Sequence, residues 1–155
     1  MTPAVTAAKQ AGIEFEVVEY DAGDAAEPWG IGAARALGIA PERVFKTLVV
    51  DLAGASLAVA IIPVTARLDL KAVASALGAK RAAMAEPVAA ERATGYVRGG
   101  ISPLGQRRRL PCAIDESALG FDRIHVSGGR RGLEIGLAPG ELVGLVEAVV
   151  ARIAR

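Results

Sequence analysis

The sequence predicts an α/β fold: a single domain spanning residues 1–155, with a mixed β-sheet flanked by helices. Capped helical segments alternate with β-branched runs, two of those runs are close enough to form a hairpin, and an apolar segment at helical spacing closes the chain. With 155 residues and 52% hydrophobic content, the chain can bury one core of its own and is too apolar for a disordered segment.

The elements follow in order. Thr2 as N-cap, Pro3 in the first turn and Gly12 past the end frame a helix, and "FEVVEY" then reads as a strand that finishes at Tyr20. After a polar loop, "GIGAARALG" predicts a short helix stopped by Gly38. "PERV" leads into the strand "FKTLVV", and a turn around Gly54 joins it to "LAVAII" as a hairpin. Asp69 caps a helix carrying Leu70, Val73 and Leu77 with Gly78 as its stop, and Glu86 to Arg92 suggests another helical piece. Strands are expected around Cys112, from Ile124 to Ser127 and from Leu133 to Leu137. Pro139 opens a last helix in which Leu142, Leu145, Val146, Val149, Val150 and Ile153 recur at helical spacing, predicted to pack across the sheet.

Several chemistries are excluded at once. One cysteine, Cys112, allows no intramolecular disulfide, and with a single histidine, His125, no ordinary structural zinc cluster can be assembled. "MTPAVTAAKQ" lacks the pattern of a secretory signal, and no apolar run reaches the length of a membrane span, so a cytoplasmic protein with no membrane contact is expected. "GIGAAR" fails as a dinucleotide fingerprint: Arg35 stands where that pattern needs glycine or alanine, and no strand precedes it. No cofactor is expected.

Net charge is only +1, but the charges are segregated. Glu14, Glu16, Glu19, Asp21, Asp24 and Glu27 follow one another without a base, whereas Arg92, Arg98, Arg107, Arg108 and Arg109 follow without an acid. Folding could gather these arginines into a patch for a polyanion, or leave them as a solvated run.

Four local features are candidates for function. Lys46 heads the apolar stripe of Leu48 and Val50 on one strand face, either as a snorkelling strand-end lysine or as a functional ammonium. "SGGRRG", Ser127 to Gly132, is a hairpin turn whose backbone N–H groups can also hold an anion or a developing oxyanion. Cys112 is a buried small hydrophobe or a nucleophile, with the first reading favoured by its apolar neighbours. His125 alternates with Ile124 and Val126 and is expected to face outward.

Taken together, Tyr20, "FKTLVV", "ATGYVRGGISPLGQRRR" and "VSGGRRGLEI" in that order resemble the free-standing bacterial YbaK-type aminoacyl-tRNA deacylases, relatives of the editing domain inserted into many bacterial prolyl-tRNA synthetases. The resemblance runs from "MTPA" to the C-terminal segment. It implies a mixed-sheet α/β fold and hydrolysis of mischarged tRNA, most often cysteinyl-tRNA(Pro). It also implies roles: Lys46 falls on the family's essential lysine, Gly99 to Pro103 on its GxxxP loop, and Ser127 on the serine of its SGG turn. Lys46, Gly99 and Ser127 are thereby expected to be catalytic. Tyr20, Trp29, Thr47, Gly100, Ile101, Pro103, Gly128 and Glu134 are expected to contact substrate. Trp29 stands where relatives carry a smaller aromatic ring, and Glu134 where they carry a different polar residue.

An aminoacyl ester is already activated, so positioning, oxyanion stabilisation and proton transfer suffice without a protein nucleophile. In the family the substrate's thiol is thought to attack its own ester, while the lysine engages the terminal nucleotide. The expected partner is the acceptor end of tRNA(Pro), with Arg98, Arg107, Arg108 and Arg109 near its phosphates and prolyl-tRNA synthetase as a further candidate partner. Two other readings stay open: a deacylase of alanyl-tRNA(Pro) or another aminoacyl-tRNA, and a non-catalytic RNA-binding or synthetase-associated module.

Overall fold

The hydroxyl oxygen of Thr2 accepts the Val5 N–H at 3.3 Å and so opens α1 (Pro3–Ala11), which stops at Gly12. The computed structural model describes residues 1–21, 29–53 and 56–155, with Trp29 described by its backbone only; the predicted polar loop before Trp29 and the turn around Gly54 lie outside the described residues. From α1 the chain passes through β1 (Phe15–Glu19), α2 (Trp29–Leu37) and a 3-10 turn at Pro41–Arg43. β2 (Phe45–Leu52) and β3 (Ser56–Pro63) then pair antiparallel over their full length, as the predicted hairpin requires. α3 (Leu70–Ala76) is capped by Asp69, whose carboxylate accepts the Ala72 N–H at 3.0 Å. β4 (Ala82–Met84), α4 (Pro87–Thr94), β5 (Cys112–Asp115), β6 (Ile124–Ser127), β7 (Leu133–Leu137), α5 (Pro139–Val146) and β8 (Val149–Ala151) complete the chain.

Among the described residues the strands form two sheets, one of three strands in the order β1-β7-β6 and one of five in the order β4-β2-β3-β5-β8. The first is antiparallel; the second is mixed, because β5 runs parallel to both β3 and β8. The main core lies between them. Phe45, Val59, Ile61 and Ile114 of the larger sheet meet Ile124, Val126, Ile135 and Leu137 of the smaller, with Ala4, Val5 and Ala8 of α1 packed into the same cluster. Each fully buried Ile or Leu stabilises by about 1.5–3 kcal/mol. Side-chain packing therefore joins the sheets, whose direct backbone link among the described residues is a parallel bridge between Val44 and His125.

The C-terminus departs from the expectation of one long helix. α5 ends at Val146 because Glu147 adopts a left-handed conformation with φ of 52°, and Val149–Ala151 pairs parallel with Ala113–Asp115 instead. Val149, Val150 and Ile153 fit helical spacing, but β-branched residues suit a pleated edge as well. The deciding contact is made by Asp115, which lies 38 residues upstream of Ile153. Its carboxylate accepts the N–H groups of Ile153 and Ala154, each at 2.9 Å, and the Ser117 hydroxyl at 2.6 Å.

His125 also departs from expectation: it is 6% exposed. Its strand neighbour across the sheet is Gly136, which has no side chain, so the imidazole lies over it; a Cβ at Gly136 would stand 2.8 Å from Nε2. Glu16 of β1, held by Arg123 at 2.9 Å, closes the other side at 3.5 Å from Nε2. Burial lowers the imidazole pKa and outweighs the upward pull of Glu16.

Asp115 generates a test. Burial raises its carboxyl pKa, but the bonds from Ser117, Ile153 and Ala154 outweigh that and hold it below the ordinary carboxylate value. Asp115→Ala should cost about 2–4 kcal/mol in denaturant unfolding, because it strands two buried N–H donors. A group with a lowered folded pKa stabilises above its unfolded value of about 3.9. The difference between wild type and variant should therefore shrink as pH falls below about 4.

Candidate active site

Two glycine-rich loops meet at one end of the sheets. The first follows α4 and contains Gly99, with φ of 90°, Gly100, Ile101 and Pro103; the second joins β6 to β7 and contains Ser127, Gly128 and Gly129. Gly100 sits so close to the second loop that a Cβ there would stand 2.8 Å from the Cα of Arg130 and 3.1 Å from the Arg131 nitrogen. Any side chain at Gly100 would push the two backbones apart.

The N-terminus locks this junction from behind. Thr2, already the cap of α1, donates its hydroxyl hydrogen to the Gly128 carbonyl. Gly129, with φ of 108°, leaves room for Thr2 and the Tyr96 ring, either of which a Cβ would meet at about 3 Å. The buried Tyr96 hydroxyl donates to the Leu104 carbonyl at 2.6 Å, and the Leu104 N–H donates to the buried Ser102 hydroxyl at 3.2 Å. Both loops are thus held by bonds internal to the fold. In the second, the Gly128 N–H donates to the Leu133 carbonyl at 2.7 Å and the Gly129 N–H to the Ser127 hydroxyl at 3.1 Å.

Beside this junction the two sheets part. β2 is bridged to β6 at Val44 and paired with β4 at Val50–Leu52, with the Ala85 N–H on the Val49 carbonyl. Between these attachments Lys46, Thr47 and Leu48 lie on a β2 edge that no described strand covers. Residues paired in a bridge share a sheet face, so two positions on from Val44 and His125, Lys46 and Ser127 share a face as well. Glu134 is the cross-strand partner of Ser127 on β7, and Val18 of β1 lies beyond it in the same row. The fork thus gathers Lys46, Ser127 and Glu134, all on the side away from the main core. Tyr20 follows β1 with its N–H on the Gly132 carbonyl at 2.9 Å, close enough for Glu134 to act on its phenol.

The charges here are unusual. Lys46 is half-buried, and among the described residues it has no ion-pair or hydrogen-bond partner; burial alone lowers its pKa. Glu134 is 6% exposed, its carboxylate has no hydrogen-bond or ion-pair partner among the described residues, and burial pushes its pKa up to about 8. Burial, and then the Glu134 charge, raise the Tyr20 phenol. Thr47 is placed differently. Strand alternation turns it to the core face beside Ile61, where its Oγ1 is buried without a hydrogen-bond partner. Of Trp29, the structure describes only that it begins α2.

The arginines do not form one patch at the fork. Arg98 is exposed next to Gly99, with its N–H on the Glu91 carboxylate at 3.0 Å. Arg107 lies over Gly95, at the end of α4. Arg108 and Arg109 line a cleft of about 180 Å³ with Val59, Leu110 and Cys112 that meets the first loop at Pro103, and Arg109 is tied to Glu147 at 2.8 Å. Cys112 is 4% exposed with its thiol pushed up to about 12 by burial, which fits the buried-hydrophobe reading. Sequence reasoning missed the fork itself, because a strand that changes partner along one edge leaves no mark in its own composition. Among the described residues, no group of three His, Cys, Asp or Glu side chains could hold a metal ion, and no helix is long and apolar enough to cross a membrane.

Glu134 sets a second test. Its folded pKa stands above the unfolded value, so its contribution is intact below about pH 4.5 and is lost as pH rises toward 8. Glu134→Gln removes that loss. The variant should match wild type in thermal unfolding at pH 4.5 and exceed it at pH 8.5, by on the order of a few kcal/mol.

Comparison with known proteins agrees with this architecture. A profile of the aminoacyl-tRNA editing domain matches residues 31–145. An Enterococcus faecalis protein named "Putative Cys-tRNA(Pro)/Cys-tRNA(Cys) deacylase EbsC" is 41% identical over 120 residues, covering 77% of this chain and 73% of that one. A crystal structure described as "a putative trans-editing enzyme for prolyl tRNA synthetase" superposes with a TM-score of 0.86 at 27% identity, covering 99% of this chain and 95% of the other. A hypothetical protein of known structure superposes equally well, with a TM-score of 0.86 at 24% identity over 99% of both chains, and shares the fold. The mixed-sheet architecture and a profile match over most of the chain lead to one conclusion: the chain belongs to the aminoacyl-tRNA editing family, and as a member of it is an aminoacyl-tRNA deacylase.

Proposed function

We propose that this protein removes cysteine from mischarged tRNA(Pro), with the substrate's thiol as nucleophile. The observation that carries the reading is the fork: an unpaired, half-buried Lys46 shares a face with Ser127 beside two touching glycine loops. Cys112, the one cysteine, is buried with its thiol pushed up to about 12, and His125 is buried against Glu16. The 41% identical relative named for cysteinyl-tRNA supports the same substrate.

In this scheme the thiol sulfur forms a bond to its own carbonyl carbon, the ester C–O bond breaks, and the thiol proton ends on the ribose hydroxyl. Water then opens the cyclic thioester. The protein's part is to hold the ester in a reactive geometry against the glycine loops, whose backbone dipoles meet the developing oxyanion. Lys46 takes the phosphate or ribose of the terminal nucleotide. Ser127 and Gly128 form one wall and Gly99 to Pro103 the other. Tyr20 bounds the aminoacyl pocket, while Thr47 supports the strand from the core face. Arg98, next to Gly99, is best placed for the first phosphate beyond the acceptor end, while Arg107, Arg108 and Arg109 serve phosphates farther along. Prolyl-tRNA synthetase would supply the mischarged tRNA.

A panel of mischarged tRNAs, with and without that synthetase, tests this reading. Cysteinyl-tRNA(Pro) should be hydrolysed on the order of 100-fold or more faster than alanyl-tRNA(Pro), which has no thiol to hold near the ester. Equal rates would overturn thiol assistance and leave a general deacylase. Binding of both without turnover would instead favour the non-catalytic module.

Lys46→Ala should unfold at nearly the wild-type temperature, because the side chain is half exposed, yet lose a charge-assisted contact of roughly 2–5 kcal/mol. That corresponds to a rate loss between about 30-fold and several thousand-fold. Lys46→Arg should rescue poorly, since a planar guanidinium does not occupy the place of a compact ammonium. Near-normal turnover by Lys46→Ala would remove the lysine from the site.

A further inference from the structure

We infer that Glu134 is the residue that reads the free α-ammonium of the aminoacyl group, so that the enzyme selects aminoacyl esters over N-acylated ones. This rests on the deacylase reading and extends it to a part of the substrate that the thiol mechanism does not use. Three observations point to a cationic ligand. Glu134 is 6% exposed, and none of the described side chains offers it a hydrogen bond or a counter-charge. It lies in the row Val18–Glu134–Ser127, next to the serine of the glycine turn and away from the main core. Finally, the charged and titratable groups around it are Tyr20, whose phenol feels both its charge and that of Arg131, and, farther along the shared face, Lys46, which has no ion pair with it.

An unpaired buried carboxylate is costly and persists in structures chiefly where a ligand completes it. The acceptor end of tRNA is anionic throughout, so the terminal phosphate and ribose belong with Lys46. The one cation an aminoacyl-tRNA carries is the α-ammonium, two bonds from the carbonyl carbon where cleavage occurs. A ligand with its cationic end at Glu134 and its anionic end at Lys46 would span Ser127 and set the ester between the two glycine loops. Binding needs no net proton uptake: a protonated Glu134 meeting a neutral amine and an ionised Glu134 meeting an ammonium hold the same number of protons. The polarity of the site therefore orients the substrate as well as recognising it.

The test compares cysteinyl-tRNA(Pro) with N-acetylcysteinyl-tRNA(Pro), which keeps the thiol and ester but has no cation, on wild type and on Glu134→Gln. Wild type should prefer the free amine by about 30-fold or more in kcat/KM, as expected for a buried charge-assisted contact. Glu134→Gln should lose that preference: its rate on the free-amine ester should fall to the level of the acetylated one, and its rate on the acetylated ester should not fall further. The stability of the variant, followed in the same preparations, separates this from misfolding, which would depress both esters alike. If wild type hydrolyses both esters equally, or if Glu134→Gln loses both in a folded protein, the carboxylate does not read the amine and the inference is overturned while the deacylase reading stands. Failure of wild type to hydrolyse either ester overturns the deacylase reading and this inference with it.

Discussion

The contact between Gly100 and the backbone of Arg130 and Arg131 is the constraint on which the site depends. The first loop belongs to no sheet and the second only through Ser127 at the end of β6, and each on its own would be an exposed turn. They become a fixed surface because a missing side chain lets two backbones touch and because Thr2 and Tyr96 fill the space behind them. The Thr2 hydroxyl accepts from α1 and donates to Gly128, so one small side chain couples helix formation at the N-terminus to the shape of the glycine turn. Preorganisation of this kind matters for a site that works through position and dipoles, since a donor that must first be ordered gives up much of its effect.

The fork along β2 is a different device. A strand edge shared by two sheets must let go of one before it reaches the other, and the residues between carry backbone groups and side chains that no neighbouring strand covers. β2 places Lys46 and Thr47 there, on opposite faces. The same geometry that leaves an edge open also brings Ser127 and Glu134 alongside. A ligand crevice thus arises from topology, in the way that strand-order changes create crevices in open sheets.

Much of the architecture was legible because its signals are local. Thr2, Asp69, Gly12, Gly38 and Gly78 each mark a helix end through the conformation or hydrogen bond of one residue, and the structure places helix ends at all of them. What failed depended on distant partners. Val149, Val150 and Ile153 satisfy helix and strand spacing alike, and the choice is made by Asp115 in another part of the chain. His125 alternates as an outward residue should, yet Gly136 and Glu16, from two other strands, enclose it. β4 is too short and its alanines too neutral to announce a strand, and it forms because β2 offers an edge. At the site, the loops and Lys46 stood out as motifs, but the sequence could not say that Thr47 turns to the core face or that Arg108 and Arg109 line another cleft.

The two unpaired ionisable groups of the fork explain one another. Lys46 and Glu134 lie on one face, so the fold could have gained stability by joining them as an ion pair; it does not, and burial instead lowers the lysine pKa and pushes the Glu134 pKa up to about 8. Held apart across Ser127, each keeps a desolvation cost that a direct ion pair would relieve only in part. A protein tolerates such a cost where the uncompensated field acts on something else, because an electrostatic site already satisfied by its own side chains has nothing left to offer a substrate. The separation gives the crevice a cationic end and an acidic end, while the two glycine-rich loops lie beside it. Under the proposed reading, that polarity would orient a ligand with its anionic end toward Lys46 and its amine toward Glu134, alongside the two loops.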